Sequence, residues 1–137
     1  MTLIANRSRL LWIPASTDPN TVSTYDLSTG VWHHVVPTIS TDPATLAVLA
    51  DYGTDLNSAS SHQPPGPVAR VGPCVIEPLD GHTVAVWGGQ WYNTTGSVRY
   101  PQGVGRGAVW LLNTKSWEWN AQLTSGSPHS AVFGAEL

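Results

Sequence analysis

The sequence predicts an all-β fold built from antiparallel four-stranded units, and three observations predict it. Apolar runs are short, and turn residues separate almost every pair of them. Residues 83–87, Thr-Val-Ala-Val-Trp, read as a strand that ends abruptly in Gly88-Gly89, two residues that can take positive φ and admit close backbone approach. The run Tyr25-Asp26-Leu27-Ser28-Thr29-Gly30-Val31-Trp32 also has a counterpart 85 residues later in Trp110-Leu111-Leu112-Asn113-Thr114-Lys115-Ser116-Trp117, so a unit of this kind occurs twice.

The first unit occupies residues 1–36. Residues 3–5 form a short apolar strand, and polar residues 6–9 turn the chain. Residues 10–13 are the second strand, stopped by Pro14, which cannot donate to a ladder. Asp18-Pro19-Asn20 supplies a turn. Residues 22–27 are the third strand, Ser28-Thr29-Gly30 turns, and residues 31–36 are the fourth, carrying Trp32.

Residues 37–66 interrupt this rhythm and read as a connector. Within it, residues 44–50 are compatible with a short helix, with Asp42 as N-cap and Pro43 at the first helical position, and equally with a buried apolar strand. Residues 57–66, rich in Ser, Pro and Gly, are loop.

The second unit occupies residues 67–123. Residues 68–76 are strand-like despite Pro73, Asp80-Gly81 is a hairpin signal, and residues 83–87 are the next strand. A long loop over residues 90–107 follows. Residues 108–112 are the third strand, 113–116 the turn and 117–122 the fourth strand. Residues 124–137 open a further first strand or a closing one.

Together these residues resemble the kelch repeat of kelch and galactose-oxidase-like β-propellers. The second unit carries Arg70 and Gly72 near its first strand, Gly88-Gly89 ending its second, Trp110 with Asn113 on its third, and Trp117. The first unit keeps Tyr25-Asp26 and Trp32 but has Pro14-Ala15 where the glycines stand. The resemblance implies kelch-type propeller blades in an incomplete ring, since propellers have four to eight blades and this chain supplies two and the start of a third. It further implies that Trp32 and Trp117 pack between blades, where loss of either ring costs ~3–5 kcal/mol. Open blade faces would favour self-association or a place in a longer propeller.

Composition narrows the partners. Seven Trp and four Tyr against one Phe and one Met make an amphipathic aromatic core whose N–H and O–H groups need partners. A net charge of −3 with six scattered basic residues gives no footprint for nucleic acid. No apolar run approaches the ~20 residues of a membrane span, and the N-terminal residues lack a signal peptide's pattern. A single cysteine, Cys74, excludes an internal disulfide and reads as a buried, inert thiol. The compartment is not encoded in any of these features. Asn6 and Asn93 begin glycosylation-type triplets, a pattern frequent by chance.

No catalytic set emerges. His33 and His34 are adjacent on a strand and point to opposite faces, which prevents chelation of one ion; His62, His82 and His129 lack partners at ligand spacing. The Gly103–Gly107 segment lacks the Lys-Ser/Thr of a phosphate loop. Galactose-oxidase-like enzymes use a copper set of Cys, Tyr and His, and no such set is identifiable here, so neither metal nor cofactor is assigned. The richest candidate is the long loop, where Trp91, Tyr92, Arg99, Tyr100 and Arg106 combine stacking surfaces with forked donors. The expectation is a non-enzymatic binding or scaffold module that recognises a protein through its inter-strand loops. A carbohydrate-binding propeller is the alternative, and a copper-oxidase relative a more distant one.

Overall fold

In the computed structural model, the described residues are 1–13, 21–50, 74–76, 80–87, 91–92, 98–99 and 108–123. They form eleven strands and one helix. Strands β1 (Thr2–Ile4), β2 (Arg9–Trp12), β3 (Val22–Asp26) and β4 (Trp32–Val35) pair in sequence order as an antiparallel meander. Strands β6 (Cys74–Ile76), β7 (Thr83–Trp87), β10 (Ala108–Asn113) and β11 (Glu118–Leu123) form a second meander with the same connectivity. The short strands and turn-rich spacing produce this order because each strand can pair at once with the one before it. Both sheets are open.

The connector contributes structure to the second sheet. Strand β5 (Thr38–Ile39) pairs in parallel with β11, and the amides of Thr38 and Ser40 donate to the carbonyls of Trp117 and Trp119 at 2.9 and 2.8 Å. Helix α1 (Pro43–Ala50) follows. Of the two conformations open to this run, the helix is adopted because Asp42 caps it. The Asp42 carboxylate accepts from the Thr45 amide at 3.2 Å and from the Thr45 hydroxyl at 2.5 Å. Thr45 is wholly buried, and its Oγ1 accepts the Ala121 amide of β11 at 2.9 Å. Strand β5 and the helix therefore satisfy successive groups along the β11 edge, which would otherwise offer free donors to another chain. This parallel strand carried no sequence signal, since two residues are too few for a periodicity.

The two meanders share one register. Arg9 lies opposite Asp26 in the first, and Thr83 opposite Asn113 in the second. The turn after the third strand is also the same. Gly30 donates to the Asp26 carbonyl at 2.9 Å, and Trp117 donates to the Asn113 carbonyl at 2.8 Å. The Leu27 amide reaches back to the Ser8 carbonyl at 3.1 Å, as the Thr114 amide does to His82 at 2.8 Å. These pairings set Trp32 against Trp119, and Gly30 against Trp117, so the alignment over 85 residues is corrected to one of 87 in the third and fourth strands. The side-chain letters of the turn favoured the shorter shift; the backbone hydrogen bonds decide the longer one. Trp117 is accordingly a turn residue with φ of 55°, in the place where the first unit has Gly30 at 72°.

The large apolar side chains are buried on opposite faces of the two sheets. In the second meander, Val84, Val86, Trp110, Leu112, Trp119 and Ala121 enter the core, all at 4% exposure or less. Their register equivalents in the first are Leu10, Trp12, Ser23, Tyr25, Trp32 and His34. Trp12 and Trp32 of this set are 45% and 47% exposed, while the small Ser23 of β3, between their strands, is buried. The first meander instead buries Ile4, Leu11, Val22 and Thr24, which lie on its other face or at its edge. Ile4, Leu11 and Val22 join the second sheet's side chains and Val48 of α1 in one core cluster. The units therefore pack front to back. The expectation that Trp32 is an interior ring is corrected: with Trp12 it lies on the more open face of the first meander.

Candidate functional site

The candidate loop is partly structured. Strands β8 (Trp91–Tyr92) and β9 (Val98–Arg99) form an antiparallel hairpin with Trp91 opposite Arg99 and Tyr92 opposite Val98. Sequence patterns did not reveal these strands, because each is two residues long. Tyr100 and Arg106 lie outside the described residues, as do Arg70, Gly72, Gly88 and Gly89.

Strand pairing fixes the end of the sheet from which the hairpin arises. The chain leaves β7 at Trp87 and re-enters at Ala108, whereas Thr83 and Asn113 pair at the opposite end. That opposite end is tied to the first unit by the Ala5 amide, which donates to the Gly81 carbonyl at 2.9 Å. The connection from β2 to β3 also begins at the end away from this tie, since Arg9 and Asp26 pair beside the β1–β2 turn. The connections at the tied end are short in sequence, and the long ones belong to the other end.

Carboxylates in these turns act as clamps. Asp26 Oδ1 accepts from the Ser28 hydroxyl at 2.6 Å and from the amides of Ser28 and Thr29 at 2.9 and 3.1 Å. Those bonds, the Ser28 hydroxyl first, lower its pKa from 3.8 to about 2. Arg9, opposite in the ladder, lies 3.6 Å from Oδ2. In the second unit Asn113 makes the same turn with its amide oxygen, accepting from Lys115 and Ser116 at 2.8 and 3.1 Å. Asp80 accepts from the Thr83 hydroxyl at 2.6 Å and from the amides of His82 and Thr83 at 2.9 and 2.7 Å. These bonds, led by the Thr83 hydroxyl, hold its carboxyl well below the ordinary range. Carboxylates fixed as anions in this way accept hydrogen bonds and are poor proton donors near neutrality.

A second candidate surface is the more open face of the first meander. Tyr25 and Trp32 are cross-strand neighbours with ring centroids 5.0 Å apart, and Trp12 meets Trp32 edge-on at 6.4 Å. Beside them Ser23 Oγ lies 2.8 Å from His34 Nδ1. His33 pairs with Thr24 in the ladder and so belongs to the opposite face. The sequence marks Tyr25 and Trp32 as architecture and gives Trp12 a weaker signal. Its alternation with Leu11 at the end of β2 was the available signal.

Among the described residues, no group of three His, Cys, Asp or Glu side chains gathers where an ion could be held. No helix among them is long and apolar enough to cross a membrane. No protein-family model, curated protein or solved structure matches the chain.

Proposed function

We propose that the chain is a non-enzymatic binding or scaffold module built from kelch-type propeller blades, with the hairpin inserted between the second and third strands of its second unit recognising a protein partner. The β8–β9 hairpin carries this reading. It sets Trp91 opposite Arg99, residue types that dominate binding hot spots, on an insertion at the end of the sheet away from the tied turns. The repeated meander and its front-to-back packing support the blade assignment, because blades set around an axis must each present one face to the preceding blade and the other to the next.

Screening the chain against a displayed peptide library, and repeating the selection with Trp91→Ala and Arg99→Ala, tests the proposal. Enriched peptides that bind the parent chain and lose roughly tenfold or more in affinity for both variants, at unchanged thermal midpoint, support it. Variants that bind normally, or that unfold, count against it. The open Trp12–Tyr25–Trp32 face favours one further reading, a carbohydrate-binding module, because sugars stack on exposed rings. A glycan array probed with the parent chain and with Trp32→Ala separates the two.

A further inference from the structure

We infer that the chain assembles head to tail with copies of itself, the outer face of the second meander of one copy covering the aromatic face of the first meander of the next. The contact would repeat the one that already exists inside the chain. Within it, Leu11 and Val22 of the first meander, both fully buried, share one core cluster with Val84, Val86, Trp110 and Trp119 of the second. Among the described residues, each chain has one further example of each surface.

The further receiving face carries Trp12, Tyr25 and Trp32, at the positions of Val86, Leu112 and Trp119 in the covered sheet. The further inserting face lies on the second meander. Ala85 and Val109 stand there at the positions of Leu11 and Val22, and Leu111 and Trp87 at those of Thr24 and Ile13. These four are partly exposed, and Ile76 beside them is 37% exposed. The inserting face is apolar along β6, β7 and β10 and polar along β11, where Asn120 and Gln122 stand opposite Leu111 and Val109. Its register relation to the receiving face is the one that holds within the chain, and that relation fits a second copy of the same chain. The two faces do not favour a self-complementary two-fold contact, in which one face would meet its own twin.

A heterologous contact of this kind either closes a ring or extends as a filament. The ring outcome rests on the blade reading above; the contact itself rests only on register and burial. Charge introduced at the centre of either face, as Trp32→Glu or Leu111→Glu, should weaken self-association by roughly a hundredfold. Val109→Lys substitutes for Leu111→Glu if the latter lowers the thermal midpoint.

The decisive experiment is sedimentation velocity on the full chain, on each variant alone, and on the two variants mixed. The parent chain is expected to form discrete oligomers and each variant to be monomeric. The mixture should give a dimer and nothing larger, because the intact inserting face of Trp32→Glu can seat on the intact receiving face of Leu111→Glu. A parent chain that stays monomeric, variants that still assemble, or a mixture that remains monomeric would overturn the proposal. Assembly of the parent chain into open polymers would uphold the contact and overturn the closed blade ring. A monomeric parent whose Trp32 face binds glycans would identify that face as a sugar platform instead.

Discussion

The Ala5 amide donates to the Gly81 carbonyl at 2.9 Å, joining the β1–β2 turn of the first unit to the β6–β7 turn of the second. Gly81 holds φ of 81°, and a Cβ there would stand 2.8 Å from Asn6 Oδ1. The junction thus requires glycine for its backbone angle and, to a smaller degree, for space. Gly81→Ala should destabilise the chain by about 1–2 kcal/mol, the cost of a side chain in the left-handed region. Urea unfolding measures it. Adding Asn6→Ala should recover only the part due to the Asn6 contact, leaving most of the loss.

Ala5 itself, with φ of 51°, occupies the same region without glycine's freedom. Because its amide bond to Gly81 needs no side chain, Ala5→Gly should stabilise by about 0.5–1 kcal/mol, the left-handed penalty less the extra entropy of the unfolded chain. A lower urea midpoint would contradict the assigned angle.

Trp32 and Trp119 occupy equivalent positions but differ in burial, at 47% and 1% exposure. Trp119→Ala should therefore cost about 3–5 kcal/mol, and Trp32→Ala distinctly less under conditions where the chain is monomeric. Equal losses would mean that both rings are interior.

Thr45 links the helix cap to the edge of β11. Thr45→Val keeps the shape but leaves the Ala121 amide without its acceptor and removes the hydroxyl bond to Asp42. A loss of about 1–3 kcal/mol is expected, with Thr45→Ser restoring much of it. Hydrogen exchange at Ala121 should accelerate in the valine variant and not in the serine variant.

Acid should weaken the fold over a defined window. Asp26 and Asp42 are each lowered from 3.8 to about 2, Asp26 chiefly by the Ser28 hydroxyl and Asp42 chiefly by that of Ser40, then Thr45. Asp80 is lowered further by Thr83 and the His82 amide. A depressed folded-state pKa favours the folded anion, so its contribution is complete above about pH 4 and is lost as pH falls toward 2. Urea midpoints at pH 7, 4, 3 and 2 should drop over the lower part of this range. Asp26→Asn, which copies Asn113, should flatten the drop.

Much of the architecture is legible in the sequence because it is local. Strands with turn residues between them place both meanders, and Asp42-Pro43 marks the start of α1. What escaped depends on long-range pairing. Strand β5 exists only because β11 offers it an edge, and the β8–β9 strands have no period to detect. The side of each sheet that is buried also escaped, since Trp12 and Trp32 look as apolar in sequence as Trp110 and Trp119. Their exposure is decided by which unit lies on which side. The 85-residue alignment failed for a related reason: matching letters count side chains, whereas the turn is set by bonds from Asp26 and Asn113 to the backbone beyond them. Of the candidate binding residues, Trp91, Tyr92 and Arg99 were legible as residue types, but their assembly into a hairpin was not.

Two like units pack front to back, burying Trp119 and leaving Trp32 open. Hydroxyl-radical footprinting read by mass spectrometry, at dilutions where the chain is monomeric, tests it most directly. Trp12 and Trp32 should be oxidised rapidly while Trp110 and Trp119 are protected. Protection of Trp32 equal to that of Trp119 in the monomer would contradict it.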